Sequence, residues 1–91
     1  MKVYIKSFAM IREIIGETSI QFIVEDQISL EKMISQLVRE YPDLQPILFN
    51  NNKLNPQFLY IVNGEEMNLG QNKVIHTDET NLVIIPPAGG G

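Results

Sequence analysis

Val3 and Ile5 fall on one side of residues 2–7, with Lys2, Tyr4 and Lys6 on the other. That period of two is the signature of a strand. Over residues 8–15 the spacing changes: Ile11, Ile14 and Ile15 gather on one side, predicting a short helix with Gly16 as its C-terminal stop. Ile20, Phe22 and Val24 alternate again, close enough behind the first strand to pair with it antiparallel. The clearest helix is residues 30–41, where Leu30, Met33, Ile34, Leu37, Val38 and Tyr41 form one apolar stripe. Ser29 offers an N-cap, Glu31 and Arg39 suit the two ends of the helix dipole, and Pro42 stops the helix. Residues 43–57, with Pro46, Pro56 and the run Asn50-Asn51-Asn52, read mostly as loop around an apolar knot at 47–49. Residues 58–62 are apolar throughout, as in a central strand buried on both faces. Asn63-Gly64 is the strongest tight-turn signal. Gly70 and residues 71–81 read as turns around a short strand at 73–75, and residues 82–85 as a fully apolar last strand.

The resulting order is strand, short helix, strand, helix, loop and three strands. It predicts an α+β fold, a β-grasp or ubiquitin-like roll, in which one main helix packs across a mixed sheet of four or five strands. A ferredoxin-like arrangement needs a second long amphipathic helix between the later strands, and the sequence has none. Residues 1–85 form this domain, and residues 86–91 a flexible Pro-Pro-x-Gly-Gly-Gly tail.

Composition narrows the chemistry. Ninety-one residues make one small domain. The absence of cysteine removes disulfides, thiolate nucleophiles and cysteine metal clusters, and the single histidine, His76, cannot build a multi-histidine metal site. Seven basic against eleven acidic residues, net charge −4, argue against a phosphate-binding surface for nucleic acid and allow a basic protein partner. No apolar run approaches the ~20 residues of a membrane span, and Lys2, Lys6 and Arg12 interrupt any signal-peptide core, so the expectation is a cytoplasmic protein without a membrane role. A Gly-rich phosphate loop before a helix and a plausible acid–base pair are both missing, so the chain is not expected to be an enzyme by itself.

The chemistry that remains is at the end. Pro86 and Pro87 cannot continue a central strand, because neither supplies a ladder N–H, and they stiffen the exit of the chain. Ala88, Gly89, Gly90 and Gly91 follow with almost no side-chain bulk and a reach of about 13 Å at ~3.3 Å per residue. Glycine lets the main chain approach a phosphate or catalytic group closely. The usable group is the α-carboxylate of Gly91, which is ionised and a poor acyl donor at neutral pH until ATP converts it to an acyl-adenylate. A frayed terminus is the plainer reading of the same glycines.

Three pieces of the chain resemble the MoaD/ThiS-type sulfur-carrier family, which includes the small subunit of molybdopterin synthase. Phe8-Ala9-Met10-Ile11-Arg12-Glu13-Ile14 is similar to the family's F-A-x-[VI]-R-E-[LI], Val62-Asn63-Gly64 to its V-N-G turn, and Ile85-Pro86-Pro87-Ala88-Gly89-Gly90-Gly91 to its terminal P-P-x-x-G-G. Asp78-Glu79-Thr80 departs from the family's G-D turn before the last strand. The length of residues 43–56 favours the molybdopterin or archaeal branch over the thiamine branch.

The resemblance implies a carrier. An E1-like adenylating enzyme would use ATP and Mg to activate Gly91, and the chain itself would bind no cofactor and no metal. A sulfur donor protein would make the thiocarboxylate, and the tail would insert into the molybdopterin synthase large subunit to give up its sulfur. Pro86, Pro87, Ala88, Gly89 and Gly90 would be the inserting segment. Phe8, Arg12, Ile85, Glu66 and Met67 match positions near a partner in the family. Phe8 and Ile85 read equally as rim-of-core residues, Arg12 and the Glu65-Glu66 pair as solvated charges, and His76 as an exposed turn residue. The alternatives are a ubiquitin-like modifier conjugated through Gly91 to lysines of target proteins, a sulfur carrier for thiamine or tRNA thiolation, and a plain interaction module with a glycine-rich end.

Overall fold

In a computed structural model, which describes residues 1–71, 73–76 and 78–87, thirteen short elements build a five-stranded sheet, two two-stranded sheets and the helices that pack with them. Ala88, Gly89, Gly90 and Gly91, and with them most of the expected tail, lie outside the described residues.

Strand β1 (Lys2–Lys6) leads into helix α1 (Ala9–Ile15), which ends where Gly16, at φ +86, donates its N–H to the Arg12 carbonyl. Strand β2 (Ser19–Ile23) returns antiparallel to β1, and β3 (Ile28–Ser29) runs directly into helix α2 (Leu30–Glu40). Ser29 caps α2 by accepting the Lys32 N–H at 3.2 Å. Leu30, Met33, Ile34, Leu37 and Val38 are buried as the stripe requires, and Tyr41 is the C-cap residue rather than the last helical one.

Residues 43–57 are more ordered than their composition suggests. A 3₁₀ turn (Pro42–Leu44) and a single helical turn α3 (Gln45–Leu48) precede a hairpin of β4 (Phe49–Asn50) and β5 (Lys53–Leu54). Asn51 and Asn52 make its turn with φ of 54° and 64°, the left-handed backbone that asparagine tolerates. Asn55 ties this segment to the next strand. Its Nδ2 donates to the Ile47 carbonyl, its N–H to the Leu48 carbonyl, and its own carbonyl accepts the Tyr60 hydroxyl at 3.0 Å.

Strand β6 (Leu59–Val62) turns through Asn63-Gly64 into β7 (Glu65–Glu66), β8 (Val74–Ile75) pairs with β3, and β9 (Glu79–Ile85) closes the sheet. Glu79, Thr80 and Asn81, expected in a turn, belong to β9: Lys2, Val3 and Tyr4 pair with them in parallel, and a ladder partner outweighs weak intrinsic strand preference. The five-stranded order is β2-β1-β9-β6-β7, parallel only between β1 and β9, which is the mixed sheet of a β-grasp. Asn63 has two roles at its turn. It takes φ +50, and its Oδ1 accepts the Asn81 N–H at 2.8 Å, fixing the turn to β9.

One apolar cluster fills the space between α2 and the inner face of the sheet, including Val3, Ile5, Tyr60, Val62, Leu82 and Ile84. The expectation that residues 58–62 are buried on both faces is corrected here. Tyr60 and Val62 are buried, but Leu59 is 43% exposed and Ile61 half-buried, because α1, α2 and α3 all pack on the inner side.

Candidate functional site: an apolar face at the root of the tail

The ladder registers define the outer face. Ile85 pairs with Leu59, and Val83 with Ile61, across β9 and β6. Lys6 on β1 pairs with Val83, and Glu66 on β7 with Ile61. Partners in register project their side chains to the same face, so Leu59, Ile61, Val83 and Ile85 form one apolar patch with Lys6 on one flank and Glu66 on the other. None of the four belongs to the core or packs against it. Of the four, Leu59 is 43% exposed and Ile61, Val83 and Ile85 are half-buried, so the patch is partly uncovered and is a candidate interaction site.

The patch adjoins the tail. Ile85 ends β9, and Pro86 and Pro87, both half-buried, follow it at once. Because β1 and β9 are parallel with a constant offset, continuing the register two residues past Lys6–Val83 brings Phe8 level with Ile85. Phe8 is 36% exposed, and Lys6 Nζ stands 5.7 Å from its ring centroid, within cation–π range. The next residue, Ala9, holds φ +49, a backbone that costs an L-residue about 1–2 kcal/mol. The turn is fixed by its flanks: Ser7, 1% exposed, donates its N–H to the Thr18 carbonyl and its hydroxyl to the Glu17 carbonyl, while the Phe8 carbonyl accepts the Ile11 N–H.

The residues singled out in the sequence therefore separate. Phe8, Ile85 and Glu66 share the outer face with the patch. Arg12 is exposed on α1, one turn beyond Phe8. Met67 lies apart from them: its N–H donates to the Tyr60 carbonyl, and it packs against the core on the inner side. Gly89, Gly90, Gly91 and Ala88 fall outside the described residues. Leu59, Ile61 and Val83 went unrecognised in the sequence as candidate contact residues. Their signal was present in the uninterrupted apolar runs of β6 and β9, which one covered face does not require.

Among the described residues no group of three or more His, Cys, Asp or Glu side chains could hold a metal ion, and no helix is long and apolar enough to cross a membrane. Burial pushes the Tyr60 phenol well above its ordinary pKa near 10. It is a structural hydrogen-bond donor to the Asn55 carbonyl and lies on the inner face.

Comparison with known proteins agrees with this geometry. The ThiS family model matches residues 5–91. The chain belongs to the ThiS family. A relative, small archaeal modifier protein 3 of Haloferax volcanii, is 27% identical over 92 residues and is covered in full, as is this chain. The crystal structure of SAMP1 from Haloferax volcanii superposes with a TM-score of 0.83 at 24% identity, each chain covered completely. The solution structure of the HVO 2177 protein of Haloferax volcanii superposes with a TM-score of 0.81 at 26% identity, over 100% of this chain and 87% of that one. The fold is thus the β-grasp of the ThiS/MoaD type, a family of small ubiquitin-like carriers and modifiers rather than catalysts.

Proposed function

We propose that this protein is a sulfur carrier whose Gly91 carboxylate is adenylated and converted to a thiocarboxylate, which donates sulfur in molybdopterin synthesis as the small subunit of the synthase. One observation carries the reading: a partly uncovered apolar patch, with Leu59 exposed and Ile61, Val83 and Ile85 half-buried, at the root of a Pro-Pro-Ala-Gly-Gly-Gly segment. A partner that seats Leu59, Ile61, Val83 and Ile85 holds β9 with its tail aimed into the partner's own site. In the first step a carboxylate oxygen of Gly91 attacks the α-phosphate of Mg-ATP on an E1-like enzyme and pyrophosphate leaves. In the second, hydrosulfide already released by the donor protein attacks the acyl carbon, the C–S bond forms as the C–O bond to AMP breaks, and the proton passes to solvent. Charge at the patch rim, Lys6 against Glu66, sets the orientation in which the partner docks.

Incubation with the cognate adenylating enzyme and Mg-ATP should release pyrophosphate, and addition of a sulfur donor should change the intact mass by one oxygen replaced with sulfur. Deletion of Gly91 shortens the reach by about 3.3 Å, and angstrom-scale misplacement costs on the order of a hundredfold in rate. A deletion variant activated as fast as the parent would remove the carrier reading.

A second reading has its own support, since a relative 27% identical over its full length is named a modifier protein. There the activated Gly91 carbonyl is attacked by a lysine amine of a target protein. Isopeptide-linked adducts ending in Gly91 distinguish it from a thiocarboxylate on the free protein. Loss of molybdopterin on deleting the gene separates the molybdopterin role from thiamine or tRNA thiolation.

A further inference from the structure

The edge of the sheet farthest from β7 is open. β2 is the terminal strand of the five, and only β1 pairs with it among the described residues. The Val24 N–H donates to the Met1 carbonyl and the Ser7 N–H to the Thr18 carbonyl, so the even-numbered residues from Thr18 to Val24 turn their backbone groups toward β1. By the alternation of an antiparallel ladder, Ser19, Gln21 and Ile23 turn their N–H and C=O groups outward. Proteins defend such an edge with lysine, proline, a bulge or an inward charge. Ser19-Ile20-Gln21-Phe22-Ile23 has no proline and no charged residue, and Ile23 is 72% exposed.

On the helix side this edge borders a groove of about 470 Å³ between β2 and the last turns of α2. Ile20, Phe22, Leu37 and Tyr41 supply its apolar lining, and Glu17 and Glu40 stand at its rim. Exposed Glu25 follows the strand at its other end.

We propose that this edge and groove receive an extended, basic-flanked segment of a partner protein by strand addition. The segment's main chain bonds to Ser19, Gln21 and Ile23, and its alternate apolar side chains lie in the groove over Ile20 and Phe22. Lysine or arginine at its ends meets Glu17, Glu25 and Glu40. A second copy of this chain is the poorer occupant. In the fully overlapped antiparallel register, centred on Gln21, Glu17 of each copy faces Glu25 of the other, and like charges directly opposite are destabilising. The groove opens on the opposite face from Leu59 and Ile85, with β1 between β2 and β9. A partner here and a partner on the tail are therefore compatible, and the inference stands independently of the chemistry at Gly91.

The test titrates the ¹⁵N-labelled protein with a synthetic peptide of alternating valine and threonine between two pairs of lysines. The control peptide carries glutamate in place of lysine. The lysine peptide should shift the amides of Ser19, Gln21 and Ile23 in a saturable manner, and the glutamate peptide should bind at least about tenfold more weakly, as attraction at each end becomes repulsion. Glu17→Gln and Glu40→Gln should each weaken the lysine peptide roughly two- to fivefold. Gln21→Pro removes the central outward donor without touching the β1 ladder, since proline is tolerated on an edge strand with its nitrogen facing out. It should reduce binding by about tenfold while the β1 and α2 amide shifts are retained. The proposal is overturned by any of four results: no shift at the β2 edge, equal affinity for the two peptides, shifts centred on Leu59 and Ile85 instead, or edge shifts that grow with protein concentration alone. The last would assign the edge to a second copy.

Discussion

Neighbouring residues on adjacent ladder positions should fail in different ways, and that contrast tests the two-faced sheet directly. Leu59 pairs with Ile85 on the outer face, and Tyr60 with Ile84 on the inner face. Full burial of a leucine is worth about 1.5–3 kcal/mol. With 43% of Leu59 still exposed, a partner that covers the rest gains about 0.6–1.3 kcal/mol, or about three- to ninefold in affinity. Leu59→Ala should raise the concentration for half-maximal ATP–pyrophosphate exchange with the adenylating enzyme by that factor. Leu59→Asp, which also desolvates a carboxylate, should raise it about a hundredfold. Stability should fall by about 0.9–1.7 kcal/mol in the aspartate variant, the worth of the part of Leu59 already buried in the free protein. Ile84 is fully buried, so Ile84→Ala should cost about 2–5 kcal/mol in a denaturant titration, and Ile84→Val about 0.5–1.5 kcal/mol where the alanine variant fails to fold. An aspartate at position 59 that leaves half-saturation unchanged would refute the docking face, and an Ile84→Ala cost below about 1 kcal/mol would refute the inner-face assignment.

Leu37→Ala removes a side chain 1% exposed at the centre of the α2 stripe and should cost about 2–5 kcal/mol by denaturant titration. Gly64→Ala meets no atom within 4 Å of the added Cβ, so its cost should be the backbone strain at φ +84 alone, about 1–2 kcal/mol in thermal unfolding. The buried Tyr60 phenol is held protonated past the pH at which the unfolded chain's tyrosine ionises, near 10. The folded state therefore binds more protons above that pH, and stability should fall as pH rises beyond about 10. Tyr60→Phe should lose the bond to the Asn55 carbonyl, about 0.5–1.5 kcal/mol, and flatten that alkaline decline.

The sequence was most legible where one side chain's environment lies within its own domain. The α2 stripe, the Gly16 stop and the Asn63-Gly64 turn all stand where their spacing places them. β6 and β9 were harder because an apolar residue reads the same whether its own fold or a partner covers it. Ile84 and Ile85 are the same residue in hydropathy terms, one fully buried and the other half-buried, and only the sheet's orientation toward α2 separates them. The Asn51-Asn52 hairpin was hidden by strands two residues long, too short to show a period. Glu79 to Asn81 were hidden by polarity, although β1 and β6 enclose their strand. Ala9 carried no signal at all: its left-handed backbone follows from the anchoring of Ser7 to residues 17 and 18, a contact ten residues away in the chain.

The parallel pairing of β1 with β9 gives the patch its position, and with it a physical reason for placing it beside the tail. Lys6 and Ile85 end β1 and β9 in the same direction, so the β1–α1 turn that leaves Phe8 exposed stands next to the point where the chain leaves the sheet. A six-residue segment alone would have to be captured from solution by its slim backbone, with few side chains to bind. In the proposed carrier, docking of Leu59, Ile61, Val83 and Ile85 would make insertion intramolecular, at an effective concentration on the order of millimolar for so short a tether. Binding energy would then be supplied by the face, leaving the last three positions free to be glycine, the residue that lets a main chain come closest to a reacting phosphate. On that reading the outer face supplies the affinity and the glycines the reach, and the parallel pair of β1 and β9 sets Phe8 and Ile85 side by side where the chain leaves the sheet.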